Sequence, residues 1–479
     1  MAQQIKNVTR RIFNKVFHGD KYNLYLFLIL GISLVLRIYL ASDSFLHEWD
    51  ERYHALVAKN LLNHPLEPTL YENPVLPYNY QDWSANHIWL HKQPFPLWLI
   101  ALCLKIFGVS EFSVRIPSIV LSTISVFITF LLGTKLFNKK TGVLAAWFHA
   151  TNGLIIEMAA GRVATDHYDS FFLVLIEAGI YFAFIFYENS KIRLLIVSAI
   201  CISAAVLTKS LPALIIYPVW ILYIFNKESV KLNIRYLLTH FLIVLVLAGS
   251  WQLYIMSKFP KEAFWEYYHQ VMHMRETLDD QGGGCFYFFK KLFVSYNELF
   301  FLVLGFTIYN IIMRKERLPA YTSLLVWVLI PVLFFSFAET KMQGYILFVA
   351  PAMFILTADL FYKIDKGYGR PWKKNMSKFI QICLIALPLR YTTERIKLFE
   401  PYERHKEWVR ELKNERILLS GSDVVLFSYP HPIEAMFYTS ITAYSDLPEA
   451  NVLKELKQRG YKVLIYSPAE NIRFKSFGY

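Results

Sequence analysis

The sequence predicts a polytopic α-helical membrane protein that ends in a small α/β domain. Of its 479 residues 55% are hydrophobic, and the mean hydropathy is positive, at +0.33. Apolar runs of about 20 residues, the length that crosses a hydrocarbon core of about 30 Å, recur along most of the chain. From about Glu400 these runs give way to short strand and helix patterns. The soluble multidomain class that the length alone would suggest is therefore excluded.

The apolar runs predict about eleven membrane spans. We place them at 22–40, 112–135, 142–159, 170–187, 192–208, 211–225, 236–256, 292–312, 320–338, 343–361 and 376–390. Segment 94–107 is apolar but too short to span, so we expect a helix lying in the outer interface. The first run follows a basic leader without a small-residue cleavage site, which predicts a retained span rather than a signal peptide.

The net charge of +13 has a distribution typical of a membrane protein. Basic residues gather in short loops between the predicted spans, for example at 139–140 and 314–317. The positive-inside rule then predicts that these loops and the N-terminus are cytoplasmic, and that two long segments, 41–111 and 257–291, lie outside. Contacts with membrane lipids are expected and nucleic-acid binding is not. The four cysteines form neither a metal motif nor a disulfide framework.

The composition predicts two domains, a membrane domain over 1–395 and an extracytoplasmic α/β domain over 400–479. In the second, VVLFSY and YKVLIYS are typical of strands, and PIEAMFYT and LPEANVLKELKQRG of helices. The chain contains neither a GxGxxG pattern nor a P-loop, so nucleotide binding is not predicted.

A dense group of ionisable residues follows the first predicted span, in FLHEWDERYHALVA over 45–58. In a helix, Asp50, Tyr53, His54 and Val57 would share one face. This spacing predicts an amphipathic helix that holds a carboxylate at the membrane surface. The alternative is a solvated loop whose acids balance nearby bases.

Other predicted outer loops also carry charge where they meet spans. HKQPFP contains Lys92, AAGRVATDHYDSFF contains Arg162, Asp166 and Asp169, TKSLPAL contains Lys209, and FAETKMQGYILF contains Lys341. Ionisable groups at such depths cost a few kcal/mol unless they are paired or hydrated, so each is a functional-site hypothesis. For Lys341 alone, a snorkelling anchor is the alternative. Together the loops predict one shared cavity.

The predicted cavity combines three kinds of side chain. Its carboxylates, which suit a base or an orienting group, are Asp50, Glu51 and Asp166. Its cations, which suit a phosphate, are Arg52, Lys92, Arg162, Lys209, Arg275 and Lys341. Aromatic residues such as Tyr53 could stack on a sugar. An activated lipid phosphate, reached laterally from the bilayer, fits this combination.

The order of these motifs resembles the GT-C integral-membrane glycosyltransferases. The likeness is to the branch that holds the protein O-mannosyltransferases and the aminoarabinose transferases that modify lipid A. It covers roughly residues 20–365 and includes FGVSEFSVRIPS, TKSLPAL and YILFVAPAMFILTA. The resemblance implies a GT-C fold and an inverting transferase with a polyprenyl-phosphate-sugar donor and a lipid, glycan or protein acceptor. It also implies an active site at the periplasmic face of the bacterial cytoplasmic membrane.

The resemblance implies roles for residues at matching positions. Asp50 matches the acid regarded as the base that activates the acceptor, with Glu51 as its neighbour, and Arg52 and Tyr53 match the pair that follows it. Lys92 matches the lysine of a Lys-Pro-Pro motif that contacts phosphate.

Further along the chain, Asp166 matches the second-loop aspartate, with Arg162 ahead of it and Asp169 as a rival. Lys209 matches the lysine of a Thr-Lys-Gly-Pro-like motif, and Lys341 the lysine before the penultimate outer span. His91 departs from the pattern, because the aminoarabinose transferases have a glutamate there.

The predicted chemistry is a single in-line displacement. Asp50 takes the acceptor proton, the cations stabilise the departing phosphate, and Asp166 supports an oxocarbenium-like transition state. His47, His54, His91, His269 and His273 could build a metal site, but no spacing fixes one and no essential metal is predicted. The alternatives are a lipid or solute transporter, an O-antigen-type ligase and a non-enzymatic scaffold.

Overall fold

The structure, a computed structural model, describes residues 21–163, 167–224, 230–364, 371–415, 419–467 and 474–476. The predicted site residue Asp166, the basic leader and part of the cytoplasmic-loop predictions lie outside these ranges. The chain forms two compact units. We call residues 21–40, 118–253 and 270–400 the helical unit, and residues 41–117, 254–269 and 401–479 the mixed unit. The predicted division into 1–395 and 400–479 stays a prediction.

Sixteen helices precede the C-terminal segment in the described residues. They are α1 Lys21–Leu40, α2 Asp50–Asn60, α3 Pro94–Phe107, α4 Glu111–Leu136, α5 Lys139–Thr151, α6 Gly153–Ala159, α7 Tyr168–Asn189, α8 Ile192–Lys209, α9 Ile216–Ile224, α10 Val230–Lys258, α11 Pro260–Arg275, α12 Tyr287–Ser295, α13 Phe300–Tyr309, α14 Leu318–Ser336, α15 Ala350–Lys363 and α16 Pro371–Ile396. Short 3₁₀ segments precede α9 and α15, at Leu211–Ile215 and Gln343–Val349, and a π-helical turn, Asn310–Arg314, follows α13.

Seven described helices are long and apolar enough to cross a membrane. They are Lys21–Leu40, Glu111–Leu136, Tyr168–Asn189, Ile192–Lys209, Ile234–Lys258, Leu318–Ser336 and Gln343–Lys363. The chain is therefore a multi-pass membrane protein, as the sequence predicts. The predicted total of about eleven spans is not confirmed.

The remaining predicted spans are broken, short or polar. The run at 292–312 divides into Tyr287–Ser295 and Phe300–Arg314, which meet at 98° and could count as one further span. The run at 142–159 divides at Asn152, whose side-chain oxygen accepts a hydrogen bond from Ile155 N (3.1 Å) and caps α6. Helix α9 with its 3₁₀ segment is short, and α16 is long but less apolar.

A buried arginine ties three helices of the helical unit together. Arg37, in the last turn of α1, is fully buried. Its Nε donates to Ser122 Oγ of α4 (2.7 Å), and its Nη1 donates to Ser33 Oγ (2.6 Å) and to Ala150 O of α5 (3.2 Å). A buried cation is tolerated when such partners replace water. An apolar cluster of the same three helices, α1, α4 and α5, includes Leu26, Phe130 and Ala150.

The C-terminal part of the mixed unit is the predicted small α/β fold. Its strands are β1 Val424–Phe427, β2 Thr442–Ala443, β3 Lys462–Tyr466 and β4 Phe474–Ser476, in the sheet order β2-β1-β3-β4. The first three strands are parallel, and β4 is antiparallel to β3. Helices α17 Glu407–Asn414, α18 Pro432–Tyr438 and α19 Ala450–Gln458 accompany them. The strand predicted at ERILLSG falls partly outside the described residues.

Helix α18 of this fold packs on α2 within the mixed unit. Lys59 Nζ donates to the carbonyl oxygens of Met436 (2.6 Å), Phe437 (3.0 Å) and Thr439 at the C-terminal end of α18. The last carbonyl oxygens of a helix lack donors within the helix, and a cation there also complements the helix dipole. The C-terminal fold thus contacts the helix that carries Asp50.

Candidate functional site

The predicted helix after the first span is present as α2, and Asp50 is its first residue. The preceding Trp49 has φ +73°, a conformation that non-glycine residues rarely adopt. Lys92, which lies just before α3, places its Nζ 3.8 Å from Asp50 Oδ1. Both side chains are partly exposed, at 22% for Lys92 and 17% for Asp50. A carboxylate and an ammonium group therefore meet where solvent can reach them.

Glu51, the neighbour of Asp50, is instead committed to a buried ion pair. Arg115 Nε lies 2.7 Å from Glu51 Oε1, and Arg115 Nη2 lies 3.0 Å from Oε2. Burial by itself would raise the pKa of Glu51, but the charges and hydrogen bonds of Arg115 and His47 outweigh it and hold the pKa well below its ordinary value of 4.5. A carboxylate held this way is a poor base, so the geometry favours a positioning role for Glu51.

Arg115 also fixes the loop that leads from the first span into α2. Its guanidinium donates to the carbonyl oxygens of Ala41 (3.0 Å), Asp43 (2.7 Å) and Phe45 (2.6 Å). Arg404, from the C-terminal segment, donates from Nη1 to Asp43 Oδ1 (2.9 Å). The two arginines therefore set the path of the chain just ahead of Asp50.

His47 lies between Asp43 of the same loop and Glu51 of α2. Its Nε2 is 2.9 Å from Asp43 Oδ2, and its Nδ1 is 2.8 Å from Glu51 Oε2. Burial alone would lower the pKa of His47, but the charge of Glu51 and hydrogen bonds to both acids raise it above 6.5. His47 thus belongs to the support of α2 rather than to a metal site.

Arg52 and Tyr53 lie side by side on α2, as the sequence predicts. The Arg52 guanidinium carbon is 5.0 Å from the centre of the Tyr53 ring, and Arg52 Nη1 is 3.4 Å from Glu434 Oε1. Burial raises the pKa of Tyr53, which Arg52 partly opposes. The Tyr53 ring meets that of Trp83 edge to face at 5.0 Å. This arrangement offers a cation and an aromatic surface next to Asp50.

His91, Glu266 and His269 form the one group of described histidines, cysteines and acids whose arrangement could hold a metal ion. Their ligand atoms all lie within 4.8 Å of one another, and His91 Nδ1 is 3.4 Å from Glu266 Oε2. Two imidazoles and a carboxylate are ligands that suit Zn²⁺ or a similar divalent ion. Two of the histidines named from sequence therefore meet at a site with metal-binding chemistry, whereas His54 is buried against Trp89.

In the helical unit, Lys209 forms an ion pair with Asp169. The Lys209 Nζ lies 2.5 Å from Asp169 Oδ1, and the carboxylate is buried. Lys209 Nζ is also 5.6 Å from the centre of the Tyr345 ring. The rival aspartate of the second loop, Asp169, is therefore the partner of a predicted phosphate-binding lysine.

The other predicted cations of the helical unit have different surroundings. Lys341 is buried, and its Nζ donates to Ala338 O while its backbone N donates to Gln281 O (2.7 Å). Arg162 Nε donates to Leu40 O (3.0 Å) at the end of α1. Arg275 is exposed at the end of α11. Of these three, only Lys341 has the burial expected of a preorganised contact.

Sequence reasoning missed three contributors to this geometry. Arg115 stands in the segment EFSVRIPS, where no sequence pattern predicts a role for the arginine. Glu266 precedes His269 by three residues on one helix, a Glu-x-x-His spacing that could have been found. Glu434 lies 382 residues from Arg52, and no local pattern marks it.

The chain is similar to a known protein family and to several relatives. Residues 91–251 match the family described as dolichyl-phosphate-mannose-protein mannosyltransferase. A protein of unknown function from Aquifex aeolicus is 28% identical over 342 residues, which are 69% of this chain and 63% of that protein. An undecaprenyl phosphate-α-4-amino-4-deoxy-L-arabinose arabinosyl transferase from Pseudomonas savastanoi pv. phaseolicola is 25% identical over 310 residues, 61% of this chain and 56% of that enzyme. The matched regions thus span less than two thirds of these relatives.

Solved structures show the same fold. ArnT from Cupriavidus metallidurans bound to undecaprenyl phosphate superposes with a TM-score of 0.65 at 12% identity, covering 92% of this chain and 93% of that one. The archaeal oligosaccharyltransferase AglB from Archaeoglobus fulgidus, in complex with an inhibitory peptide and a dolichol-phosphate, superposes with a TM-score of 0.58 at 14% identity, covering 92% and 69%. The predicted GT-C fold is confirmed.

Proposed function

We propose that the chain is a glycosyltransferase of the GT-C superfamily and that it transfers a sugar from a polyprenyl-phosphate donor to a lipid, glycan or protein acceptor. Its fold and the relatives that it resembles support this proposal. The reaction takes place at the periplasmic face of the bacterial cytoplasmic membrane. A named relative uses undecaprenyl phosphate-linked aminoarabinose, and the matched family is named for dolichyl-phosphate mannose. A lipid-phosphate sugar is the chemistry that these names share.

The observation that carries the proposal is the pairing of Asp50 with Lys92, while the adjacent acid Glu51 is occupied by an ion pair with Arg115. Glu51 is buried and bound by Arg115, whereas the Asp50 carboxylate is partly exposed and 3.8 Å from Lys92 Nζ. A base must be reached by its substrate, and a phosphate-binding lysine must be reached by its anion. Asp50 and Lys92 meet both conditions.

In the proposed step, Asp50 removes the proton from the attacking hydroxyl or amine of the acceptor. The acceptor forms a bond to the anomeric carbon as the bond to the polyprenyl phosphate breaks, and the electron pair leaves with the phosphate. Lys92 stabilises that leaving group, and Arg52 adds a second cation beside Tyr53. Proton transfer of this kind typically contributes about 10²–10⁴-fold to a rate.

We propose Lys209 and Lys341 as further donor-phosphate contacts, as the sequence order predicted. Asp169 holds Lys209 in one orientation through its ion pair, and the backbone oxygen of Ala338 does the same for Lys341. Cations that are already held in place lose little conformational entropy when they bind a phosphate.

A divalent metal, if bound, would be held by His91, Glu266 and His269 and would supply positive charge for the phosphate. The three side chains provide the right donor types for it. The proton transfer by Asp50 and the phosphate contact by Lys92 are independent of that ion.

The proposal is tested with purified protein, undecaprenyl-phosphate-linked aminoarabinose or dolichyl-phosphate mannose as donor, and lipid or peptide acceptors, with the glycosylated acceptor measured by mass spectrometry. Asp50→Asn should lower transfer by at least about 100-fold while binding of undecaprenyl phosphate persists. Lys92→Ala should weaken undecaprenyl phosphate binding by about tenfold or more.

Matched controls are available close by. Glu48→Gln removes an exposed acid two residues before Asp50, and Lys105→Ala removes an exposed lysine from the far end of α3. Both should transfer at the wild-type rate. If Asp50→Asn is as active as Glu48→Gln, Asp50 is not the base. Uptake of a lipid or solute into liposomes without any glycosylated product would favour the transporter alternative.

A further inference from the structure

A cationic cavity lies in the helical unit, and none of its described lining residues is assigned to the transfer step. It measures about 300 Å³ and lies between α12, the start of the Gln343–Val349 segment and the end of α16. Among the described residues that line it, three are cationic, Lys290, Lys291 and Arg395, and none is acidic. From this geometry we propose that the cavity binds an anionic membrane lipid through its phosphate group.

The charge balance of the cavity favours an anion. Arg395 Nε forms an ion pair with the Glu157 carboxylate, and Arg395 Nη1 donates to Tyr391 OH (3.2 Å). Lys290 and Lys291 belong to α12 and add two more positive charges. Three cations with one paired carboxylate leave an excess of positive charge, which a phosphate would balance.

The polar groups beside these cations are suited to a phosphate. Tyr287 and Tyr391 line the cavity, with Lys291 Nζ 5.2 Å from the centre of the Tyr287 ring. Gln343 adds an amide. Hydroxyl and amide donors together with lysine and arginine are the usual partners of phosphate oxygens.

The setting of helix α12 indicates a lipid rather than a soluble anion. Its axis meets that of the Phe300–Arg314 segment at 98°, so if that segment crosses the bilayer, α12 lies along the membrane surface. Phe286 and Val294, at either end of α12, are 67% and 51% exposed. Lysines on an interfacial helix flanked by exposed apolar side chains meet lipid head groups while the apolar groups meet acyl chains.

The cavity lies at the same end of the helical unit as two predicted donor contacts. Gln343 follows Lys341 by two residues, and Tyr345, two residues further on, is the ring beside Lys209. A lipid in the cavity would therefore be a second lipid near that end of the unit. The inference concerns binding alone and does not depend on the transfer reaction.

The test measures phosphatidic acid binding to the purified full-length protein by native mass spectrometry in detergent. Wild-type protein should retain phosphatidic acid, and Lys290→Ala/Lys291→Ala should bind it about tenfold more weakly. Lys290→Arg/Lys291→Arg should keep the affinity. The matched control is Lys374→Ala/Lys378→Ala, which removes two exposed lysines from the opposite end of α16 and should bind as the wild type does.

The source of the anion is resolved by two competitors. Excess inorganic phosphate should leave phosphatidic acid bound, and diacylglycerol, which lacks the phosphate, should not compete. Displacement by inorganic phosphate would overturn the lipid assignment, and equal binding of diacylglycerol would overturn the anion site. Equal affinity of the wild-type protein and the double alanine variant, with equal melting temperatures, would overturn the role of the lysines. Asp50→Asn should bind phosphatidic acid normally, so failure of the proposed transferase activity would leave this test intact.

Discussion

Arg115 and Glu51 form a buried, two-pronged ion pair, with Nε 2.7 Å from Oε1 and Nη2 3.0 Å from Oε2. Both side chains are almost fully buried, and Arg115 also holds three backbone carbonyls of the loop before α2. The pair therefore fixes the helix on which Asp50 stands. The adjacent acids Asp50 and Glu51 differ in their surroundings. Asp50 is partly exposed and lies near Lys92, whereas Glu51 is buried against Arg115.

Glu51→Gln should destabilise the protein strongly. Removing one partner of a buried ion pair leaves the other charge unpaired, which typically costs about 3–5 kcal/mol. The melting temperature in detergent measures this loss. The matched control is Glu407→Gln, whose partner Arg410 is 75% exposed, and exposed pairs contribute about 0–1 kcal/mol. If both variants melt alike, the pair does not support the fold.

The same pair should give the protein an acid-dependent stability. The pKa of Glu51 is lower in the folded state than its ordinary value of 4.5, so the unfolded chain binds the proton more readily. The stabilisation is therefore fully present above about pH 4.5 and is lost as the pH falls further. Between about pH 5 and pH 3, the wild-type protein should lose more stability than Glu51→Gln. Parallel melting curves for the two proteins over that range would contradict the assignment.

The sequence predicts α2, with Asp50 near its first turn, because the periodicity of a helix is visible in its own residues. The spacing of Asp50, Tyr53 and His54 was enough to predict one face. Partners from distant segments leave no such pattern in the sequence. The sequence therefore predicts no role for Arg115 or Glu434. A role was proposed for Glu51 on the same local evidence as for Asp50, and only the tertiary partner separates them.

The number of spans could not be read from apolar length alone. Hydropathy treats 142–159 and 292–312 as continuous runs, but the backbone turns at Asn152 and again between Ser295 and Phe300. A capping side chain or a bend hardly changes the mean hydropathy of a run, so the hydropathy pattern does not reveal it. The GT-C fold is implied by a resemblance in the order of motifs along the chain, and breaks within the helices do not change that order.

His91, Glu266 and His269 should bind a divalent metal ion. We expect Zn²⁺ binding to the purified, chelator-treated protein in calorimetry, and a loss of affinity of at least about tenfold in Glu266→Gln or His269→Ala. His64→Ala is the control, because His64 is half exposed and lies outside this group. Equal Zn²⁺ affinity in the wild-type protein and His269→Ala would exclude the site.

Lys59 should attach the C-terminal fold to α2. Its ammonium group caps three carbonyls at the end of α18, so Lys59→Ala should leave them without that donor and cost about 1–3 kcal/mol. Limited proteolysis of the C-terminal segment should become faster. Lys454→Ala, which removes an exposed lysine of α19, should leave the rate unchanged. Unchanged proteolysis in Lys59→Ala would mean that the cap does not hold the segment.

The crossing of α4 and α5 should tolerate no side chain at Gly142. A Cβ built there would lie 2.5 Å from Phe130 O and 2.9 Å from Thr134 N, both backbone atoms of α4. Backbone cannot move aside as a flexible side chain can, so the helices would have to separate. Gly142→Ala should therefore destabilise the protein by about 1–3 kcal/mol, measured as a lower melting temperature.

Gly31 of α1 is the matched control, because a Cβ there meets nothing within 4 Å. Gly31→Ala should be neutral or slightly stabilising, since alanine favours the helix by up to about 1 kcal/mol. A Gly142→Ala protein that melts with Gly31→Ala would show that the two helices are not in close contact.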